Sequence, residues 1–232
     1  RARPPPAPAA NSVPPSSGPT GGARRPRLPM KGEGRDKTDA ELRQLLSLGP
    51  AAVLAEVKRV VDPSLDAWRV RPGIATTILS GLARRHRPWV ALHVLTCLER
   101  RGVEVNLFHY SAAIAACEKG GLWEHAVALL SETLSRSLEP NVVACSAAVS
   151  ACEKGGEWEA AVAVLHSMGE LRIAPNVISC SAAISACEKG YRWEAAVDLL
   201  AQMARGRVSP NTVACSAAIS ACEKDGQWLS AL

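Results

Sequence analysis

Residues 141–175 read NVVACSAAVSACEKGGEWEAAVAVLHSMGELRIAP, and the chain repeats this text with small changes on both sides. Copies open at Asn106, Asn141, Asn176 and Asn211, so successive copies are 35 residues apart with no insertion. A fixed period in this range is typical of a solenoid, in which each unit buries its apolar face only against its neighbours. We therefore expect the function to reside in side chains that recur once per repeat.

Each regular repeat is predicted to form two antiparallel helices. In the unit 142–176, a first apolar stripe has the spacing i, i+3, i+4, i+7 of one helix face and consists of Cys145, Ala148, Val149 and Cys152. A second stripe repeats that spacing at Trp158, Ala161, Val162 and Leu165. Gly155-Gly156 separates the two helices, and Pro175 precedes Asn176, which can cap the next helix. Small residues in the first stripe favour a curved superhelix lined on its inside by the first helices.

The N-terminal part differs in composition from the repeats. Residues 1–36 are rich in Pro, Gly, Ser and Arg and hold seven Lys or Arg against two acids, so we predict a disordered basic segment. A basic, acid-poor segment of this kind fits the remainder of an organelle transit peptide, and a plain flexible linker fits equally well. The true N-terminus is expected to lie upstream of Arg1. Residues 37–232 hold twenty acidic and twenty basic side chains, so the bulk charge of that part does not by itself indicate nucleic acid.

A degenerate helical hairpin is predicted at 37–71, ahead of the repeats. Thr38 and Glu41 have the spacing of a capping box, so a helix is expected to begin at Thr38 and a second to run from Ala51 to Val61. A diverged repeat follows at 72–106, in which Trp89 falls one place late and predicts an altered turn. The array then comprises 107–141, 142–176, 177–211 and a partial unit at 212–232.

Eight cysteines raise the question of disulfides or zinc. The pairs Cys145/Cys152, Cys180/Cys187 and Cys215/Cys222 are each seven residues apart, which on a helix is a rise of about 10 Å. That separation is too long for a disulfide or for one shared zinc, so we interpret the cysteines as buried, reduced thiols in a reducing compartment. No cofactor, metal, membrane or small-molecule substrate is predicted. No catalytic constellation recurs, and the chain is not expected to be an enzyme.

A 35-residue helical hairpin with an apolar pattern ending in Ala-x-x-Leu-x-x-Met and closing in Pro-Asn resembles the P-type repeats of the pentatricopeptide repeat family. The resemblance covers 72–232 and implies an all-α, right-handed αα superhelix. It also implies a sequence-specific adaptor for single-stranded RNA, because repeats of this kind read one base per unit through two or three side chains.

The resemblance names the side chains that contact each base. The fifth and thirty-fifth residues of a unit read the base edge, and here these are Thr76 with Asn106, Ser111 with Asn141, Ser146 with Asn176, Ser181 with Asn211, and Ser216 without a partner. An apolar residue at the second position sandwiches the base, at Phe108, Val143, Ile178 and Val213, with Gly73 a poor equivalent. A small hydroxyl residue combined with Asn is the family's pair for adenine. The implied ligand is a run of about four adenines, read 5′ to 3′ from the N- to the C-terminal repeat.

Other interpretations of these residues stay open. Lys119, Lys154, Lys189 and Lys224 are candidates for one phosphate contact per nucleotide, or are solvated helix ends that favour the helix dipole. Asn after Pro is a good cap in any helical protein, Ser in a helix can bond back to the preceding turn, and the repeated Trp123, Trp158, Trp193 and Trp228 are expected to pack. The basic cluster Arg84, Arg85, His86 and Arg87 is equally a phosphate contact or a charged turn.

Two functions follow from the sequence. The first is an RNA adaptor in organelle RNA processing, stability or translation, located in a chloroplast or mitochondrion and otherwise in the cytoplasm. The second is a protein–protein scaffold that binds an extended peptide. Residues 107–232 carry nine basic against thirteen acidic side chains, which favours the scaffold, whereas the uniform Ser/Thr-Asn pairs favour RNA.

Overall fold

The computed structural model describes residues 33–49 and 52–227. In these ranges the regular elements are all helical, and no strand occurs. The helices are α1 Glu33–Ser47, α2 Leu54–Val61, a 3-10 turn Asp62–Ser64, α3 Leu65–Val70, α4 Pro72–Arg84, α5 Pro88–Arg100, α6 Leu107–Gly120, α7 Trp123–Ser135, α8 Val142–Gly155, α9 Trp158–Glu170, α10 Val177–Lys189, α11 Trp193–Arg205 and α12 Thr212–Lys224.

The repeats stack as helical hairpins in chain order. We call α4, α6, α8, α10 and α12 the inner helices and α5, α7, α9 and α11 the outer helices. Each inner helix packs closely on the inner helix of the next repeat, and each outer helix packs on the two inner helices that flank it in the chain. Successive outer helices of the described chain approach each other much less closely. The fold is therefore the predicted all-α superhelix of helical hairpins, with its tightest seam along the inner helices.

Small side chains explain the close approach of the inner helices. Ala113, Ala148 and Ala183 occupy the same place in successive repeats, and each is fully buried. The thiols at Cys117, Cys152, Cys187 and Cys222 are also buried and unbonded, as expected for reduced cysteines. Burial raises the pKa of Cys152 and of Cys187 to about 11, so both thiols stay protonated at neutral pH and act as small apolar groups.

Glycine allows one further contact between repeats. A Cβ added to Gly155, at the end of α8, would lie 2.5 Å from Cδ1 of Trp123, at the start of α7. A Cβ added to Gly190 would come at least as close to the ring of Trp158. These tryptophans therefore pack, as predicted, with the glycine of the next repeat against the ring. Trp228 lies outside the described residues.

The hairpin turns depend on left-handed backbone. Gly121 and Gly156 cap α6 and α8 with φ of 69° and 79°. In the diverged repeat His86 takes the same place with φ of 54°, and α5 begins at Pro88, in register with Trp123. The prediction of an altered turn was wrong, because Pro88 supplies the helix start that Trp supplies elsewhere. Trp89 lies beside it, 41% exposed, with its ring edge on His125.

The N-terminal region departs from the sequence-based boundaries. Helix α1 begins at Glu33, so Thr38 lies inside it and does not cap it, and the predicted segment 1–36 overlaps its first residues. Helix α2 begins at Leu54 rather than Ala51, and the Glu56 carboxylate accepts from the Val53 amide at 3.2 Å. Helix α1 packs on α2 and α4, and α2 packs on α5, so the pair continues the stack of hairpins. Residues 1–32 and 50–51 lie outside the described chain.

Candidate nucleic-acid interface

The four asparagines at 35-residue spacing cap four of the five inner helices, α6, α8, α10 and α12. The side-chain Oδ1 of Asn176 accepts from the Ser179 amide at 2.9 Å, and that of Asn211 accepts from the Ala214 amide at 2.8 Å. Asn106 and Asn141 make the same bond. The N-caps of the outer helices in these repeats, such as Glu157 and Arg192, make no side-chain cap bond. The cap therefore holds each asparagine at the start of its inner helix, where that helix meets the inner helix of the preceding repeat.

Two of the predicted base-reading pairs are joined by a hydrogen bond. Ser146 Oγ donates to Asn176 Oδ1 at 3.3 Å, and Ser181 Oγ donates to Asn211 Oδ1 at 3.0 Å. Each of these oxygens thus accepts two hydrogen bonds, which occupies both of its lone pairs. The Asn Nδ2 keeps its N–H donors, and the Ser Oγ keeps its acceptor lone pairs. Each pair can present one donor and one acceptor side by side.

The other pairs are not joined in this way. Thr76 Oγ1 bonds back to the Pro72 carbonyl at 3.4 Å, the local alternative expected for a helical hydroxyl. Ser111 Oγ is buried and has no hydrogen-bond partner among the described residues. Ser216 is exposed on the first turns of α12. Ser146 and Ser181 are each only 6% exposed, so a base would reach them only through the seam.

The second position of each regular repeat carries an exposed apolar side chain. Phe108, Val143, Ile178 and Val213 are 57–65% exposed, although each stands at the start of a well-packed inner helix. Large apolar residues exposed in register along one seam are unlike the scattered apolar residues of an ordinary surface. Val213 and Ser216 also line an open groove between α10 and α12, of about 420 Å³, together with Glu188 and Ser220.

The recurring lysines form ion pairs between repeats. Lys154 Nζ lies 2.6 Å from the Glu118 carboxylate, Lys224 lies 3.0 Å from Glu188, and Lys189 pairs with Glu153. Lys119 pairs with Glu118 of its own helix at 3.2 Å. Every lysine of the series therefore faces a carboxylate, usually one from the preceding repeat. The phosphate role of these lysines stays a prediction, and the ion pairs give them a structural role that the sequence analysis missed.

The sequence analysis did not identify the recurring glutamates or His109 as residues that contact a neighbouring repeat. Glu118, Glu153 and Glu188 recur at the same 35-residue period as the lysines, and that recurrence was the available signal. His109 is fully buried, accepts from the Asn106 amide at its Nδ1 and lies 3.0 Å from the Pro72 carbonyl through its Nε2. His109 thereby supports the cap of α6 and ties that helix to the preceding repeat.

The described residues hold no metal-ligand cluster and no membrane-spanning helix. Within 33–49 and 52–227, no cluster of His, Cys, Asp or Glu has a metal-binding arrangement. None of the helices described there is both long and apolar enough to cross a bilayer.

The basic cluster named in the sequence analysis lies at the turn between α4 and α5, where Arg84, Arg85 and His86 are exposed.

Two family models match the repeats. The family model for the PPR repeat matches residues 108–138, and that for the pentatricopeptide repeat domain matches 128–190. A search of curated protein sequences gives no significant match.

Two solved structures resemble most of the chain. The PPR domain of Arabidopsis thaliana protein-only RNase P 1, solved with tRNA, has a TM-score of 0.58 at 15% identity, over 66% of this chain and 81% of that one. The pentatricopeptide repeat protein PPR10, solved with an 18-nt psaJ RNA element, has a TM-score of 0.57 at 23% identity over 87% of this chain. The present chain covers 32% of PPR10. At these identities the similarity to solved structures establishes the fold alone, and the family models identify pentatricopeptide repeats within residues 108–190.

Proposed function

We propose that the chain is a sequence-specific adaptor for single-stranded RNA that reads an A-rich tract one base per repeat. The observation that carries the proposal is the recurrence, every 35 residues, of an exposed apolar side chain beside a Ser–Asn pair. An unstacked base offers two apolar faces and a polar edge, and this arrangement is complementary to both. The two solved relatives described above, each in complex with RNA, support the same function.

The hydrogen bonds favour adenine for a specific reason. Asn176 Oδ1 is occupied by Ser179 and Ser146, so only the Asn Nδ2 donor and the Ser Oγ acceptor remain for a base. Adenine matches this pair, because its N6 amino group donates and its N1 accepts. Cytosine has the same order of donor and acceptor on a smaller ring, whereas guanine and uracil present an N–H where the pair also donates. The expected order of preference is therefore adenine, then cytosine, then guanine and uracil.

A peptide-binding scaffold is the second candidate, and the ion-pair ladder is the observation that favours it. The lysines at 154, 189 and 224 face glutamates, and residues 107–232 carry a net charge of −4, so the seam lacks the positive excess typical of nucleic-acid sites. The two functions differ in their response to salt. RNA affinity should fall as salt rises in proportion to the phosphates contacted, whereas affinity for an apolar peptide should be nearly unaffected.

Filter binding with A-rich and U-rich single strands tests the RNA proposal. We expect the A-rich strand to bind roughly tenfold or more tightly, because each well-matched edge discriminates by about 1–3 kcal/mol. A C-rich strand should fall between the two. Equal binding to the A-rich and U-rich strands, or binding to neither, would reject base reading by this chain.

Asn176→Asp tests the reading of a single base. A carboxylate retains the cap on Ser179 and the bond from Ser146, but it replaces the Nδ2 donor with an acceptor. The preference at one base should therefore shift from adenine toward guanine, whose N1–H donates. Asn211→Asp is the matched control and should shift the preference one nucleotide further toward the 3′ end. Unchanged preference in both variants would leave these asparagines as caps only.

The proposed setting is organelle RNA processing, stability or translation, in a chloroplast or mitochondrion. The support is the basic, acid-poor composition of residues 1–36. A reporter fused after the native N-terminal region should be imported into one of these organelles, and a reporter that stays in the cytosol would contradict the assignment.

A further inference from the structure

A cleft of about 330 Å³ lies ahead of the first repeat, between α1, α3 and the start of α4. Lys37 and Glu41 of α1, Trp68 of α3, and Arg71 and Ile74 line it. Lys37 and Arg71 are exposed at the surface, whereas Glu41 is 9% exposed and Trp68 is 1% exposed. The cleft thus combines a buried carboxylate, an apolar wall and two exposed cations. No residue of the proposed adenine-reading series lines it.

The Glu41 carboxylate is held in one orientation by two donors. Ser64 Oγ donates to its Oε1 at 2.5 Å, and Trp68 Nε1 donates to its Oε2 at 3.3 Å. A carboxylate oxygen has two lone pairs, so each oxygen retains capacity for one more hydrogen bond. A ligand with two adjacent, parallel N–H donors would engage both oxygens at once, which is the strong bidentate geometry of a carboxylate.

The cleft falls in register with the base-reading positions. Glu41 precedes Thr76 by 35 residues, and Arg71 precedes Asn106 by the same interval. Helix α1 also packs on α4, although less extensively than successive inner helices pack on each other. A strand read from the N-terminal repeat onward would therefore place its preceding nucleotide at this cleft.

We propose that this cleft binds a guanine base immediately 5′ of the A-rich tract, an inference that rests on the proposed RNA function. Guanine is the one common base whose Watson–Crick edge carries two adjacent donors, N1–H and the N2 amino group, and these match the two oxygens of Glu41. Adenine and cytosine place a ring acceptor against the carboxylate, and uracil places carbonyls on both sides of its N–H. Trp68 and Ile74 supply apolar contact for the ring, and Lys37 and Arg71 supply charge for its phosphate.

Fluorescence anisotropy on the full chain tests the assignment with U-flanked RNAs that contain GAAAA, AAAAA, CAAAA or UAAAA. The GAAAA strand should bind roughly tenfold more tightly than the CAAAA and UAAAA strands, from one bidentate contact. Lys37→Ala and Arg71→Ala should weaken binding of all four strands and reduce its salt dependence, because each removes an exposed cation. This comparison of RNAs on the unaltered chain requires no variant to fold.

Glu41→Gln provides a change of specificity. An amide offers one acceptor and one donor, so the preference at the first base should move from guanine toward adenine. Asp39→Asn is the matched control, because it removes the same charge from an exposed position of the same helix, and it should retain the guanine preference. A melting curve for each variant separates altered specificity from loss of fold.

The outcomes separate the two proposals. Equal binding of GAAAA, CAAAA and UAAAA, with the A-rich strand still preferred over the U-rich strand, would overturn the guanine site and leave the adenine reading intact. Absence of binding to every strand would overturn both. A guanine preference that survives Glu41→Gln unchanged would also overturn the assignment, because the carboxylate would not be the reader.

Discussion

The inner and outer helices of the array recur with the same 35-residue period, but their side chains pack differently. Along the inner seam the contacts are made by alanine, serine and buried thiols, and at the end of α8 the missing Cβ of Gly155 admits the ring of Trp123 from the outer helix α7. Between the outer helices α9 and α11 there is instead a cavity of about 260 Å³, bordered by Gly169, Met203 and Gly206. The buried side chains of the inner seam are therefore closely packed beneath its open groove, whereas the outer layer contains a cavity. Close packing on one side and looser packing on the other is what curves a solenoid and exposes its inner residues to a ligand.

The largest expected effect follows from adding volume to the inner seam. Ala148 is fully buried on α8, so Ala148→Leu should destabilise the protein by about 3 kcal/mol through overpacking. Ala163→Leu on the exposed face of α9 is the control and should change stability by about 0.5 kcal/mol or less. Urea unfolding followed by circular dichroism measures both, and equal effects would contradict a difference between the layers.

Two glycines sharpen the comparison, because replacement by alanine should lower the stability of the protein at Gly155 and raise it at Gly169. Gly155→Ala brings a Cβ to 2.5 Å from the Trp123 ring and should cost about 1–2 kcal/mol. Gly169→Ala meets nothing within 4 Å and should stabilise α9 by about 0.5–1 kcal/mol. In a Trp123→Ala background the penalty for Gly155→Ala should disappear, which a double-mutant cycle detects. A penalty that persists without the ring would place its cause elsewhere.

Capping is the next difference between the layers, since the inner helices α6, α8, α10 and α12 have asparagine side-chain caps and the outer helices of the regular repeats do not. Asn176→Ala removes the bond to the Ser179 amide and should cost about 1 kcal/mol, whereas Asn176→Asp should retain most of the stability. Thermal melting of the two variants gives the comparison. Equal losses would show that the side-chain oxygen is not what stabilises the start of α10.

The smallest expected effect concerns the ion-pair ladder at the ends of the inner helices. The side chains of Glu153 and Lys189 are 22% and 45% exposed, so water screens their attraction. A double-mutant cycle with Glu153→Gln and Lys189→Met should give a coupling of about 0.5 kcal/mol that fades in high salt. A coupling unaffected by salt would indicate that the lysine contributes through the packing of its alkyl chain.

Sequence reasoning predicted most of the repeat architecture, because its signals are local. The apolar stripe from Cys145 to Cys152, the Gly155-Gly156 stop and the Asn176 cap each specify backbone within a few residues, and all three occur as expected. The exposure of Val143 and its equivalents also follows from helical geometry. The start of α1 did not follow, because Thr38 and Glu41 have cap spacing inside a longer helix.

The side-chain partners could not be assigned in the same way. Ser146 donates to an asparagine 30 residues away, and Lys154 pairs with a glutamate 36 residues before it. Ser111, at the same repeat position as Ser146, has no such bond. Equivalent residues therefore have different partners, because each hydrogen bond requires the side chains of two different repeats to meet.

The sequence by itself determined the period, the helical hairpins and the residues that recur at the seam, because helix periodicity and capping act within a repeat. Only the tertiary structure decided which functional groups remain free. It showed that, among the described residues, the Oδ1 atoms of Asn176 and Asn211 each accept two hydrogen bonds while their Nδ2 groups have no partner. It also showed that the lysines face glutamates and that Glu41 lines a cleft with Trp68 and Arg71. Hydrogen-bond capacity and charge are shared between neighbours in space, and those neighbours come from different repeats.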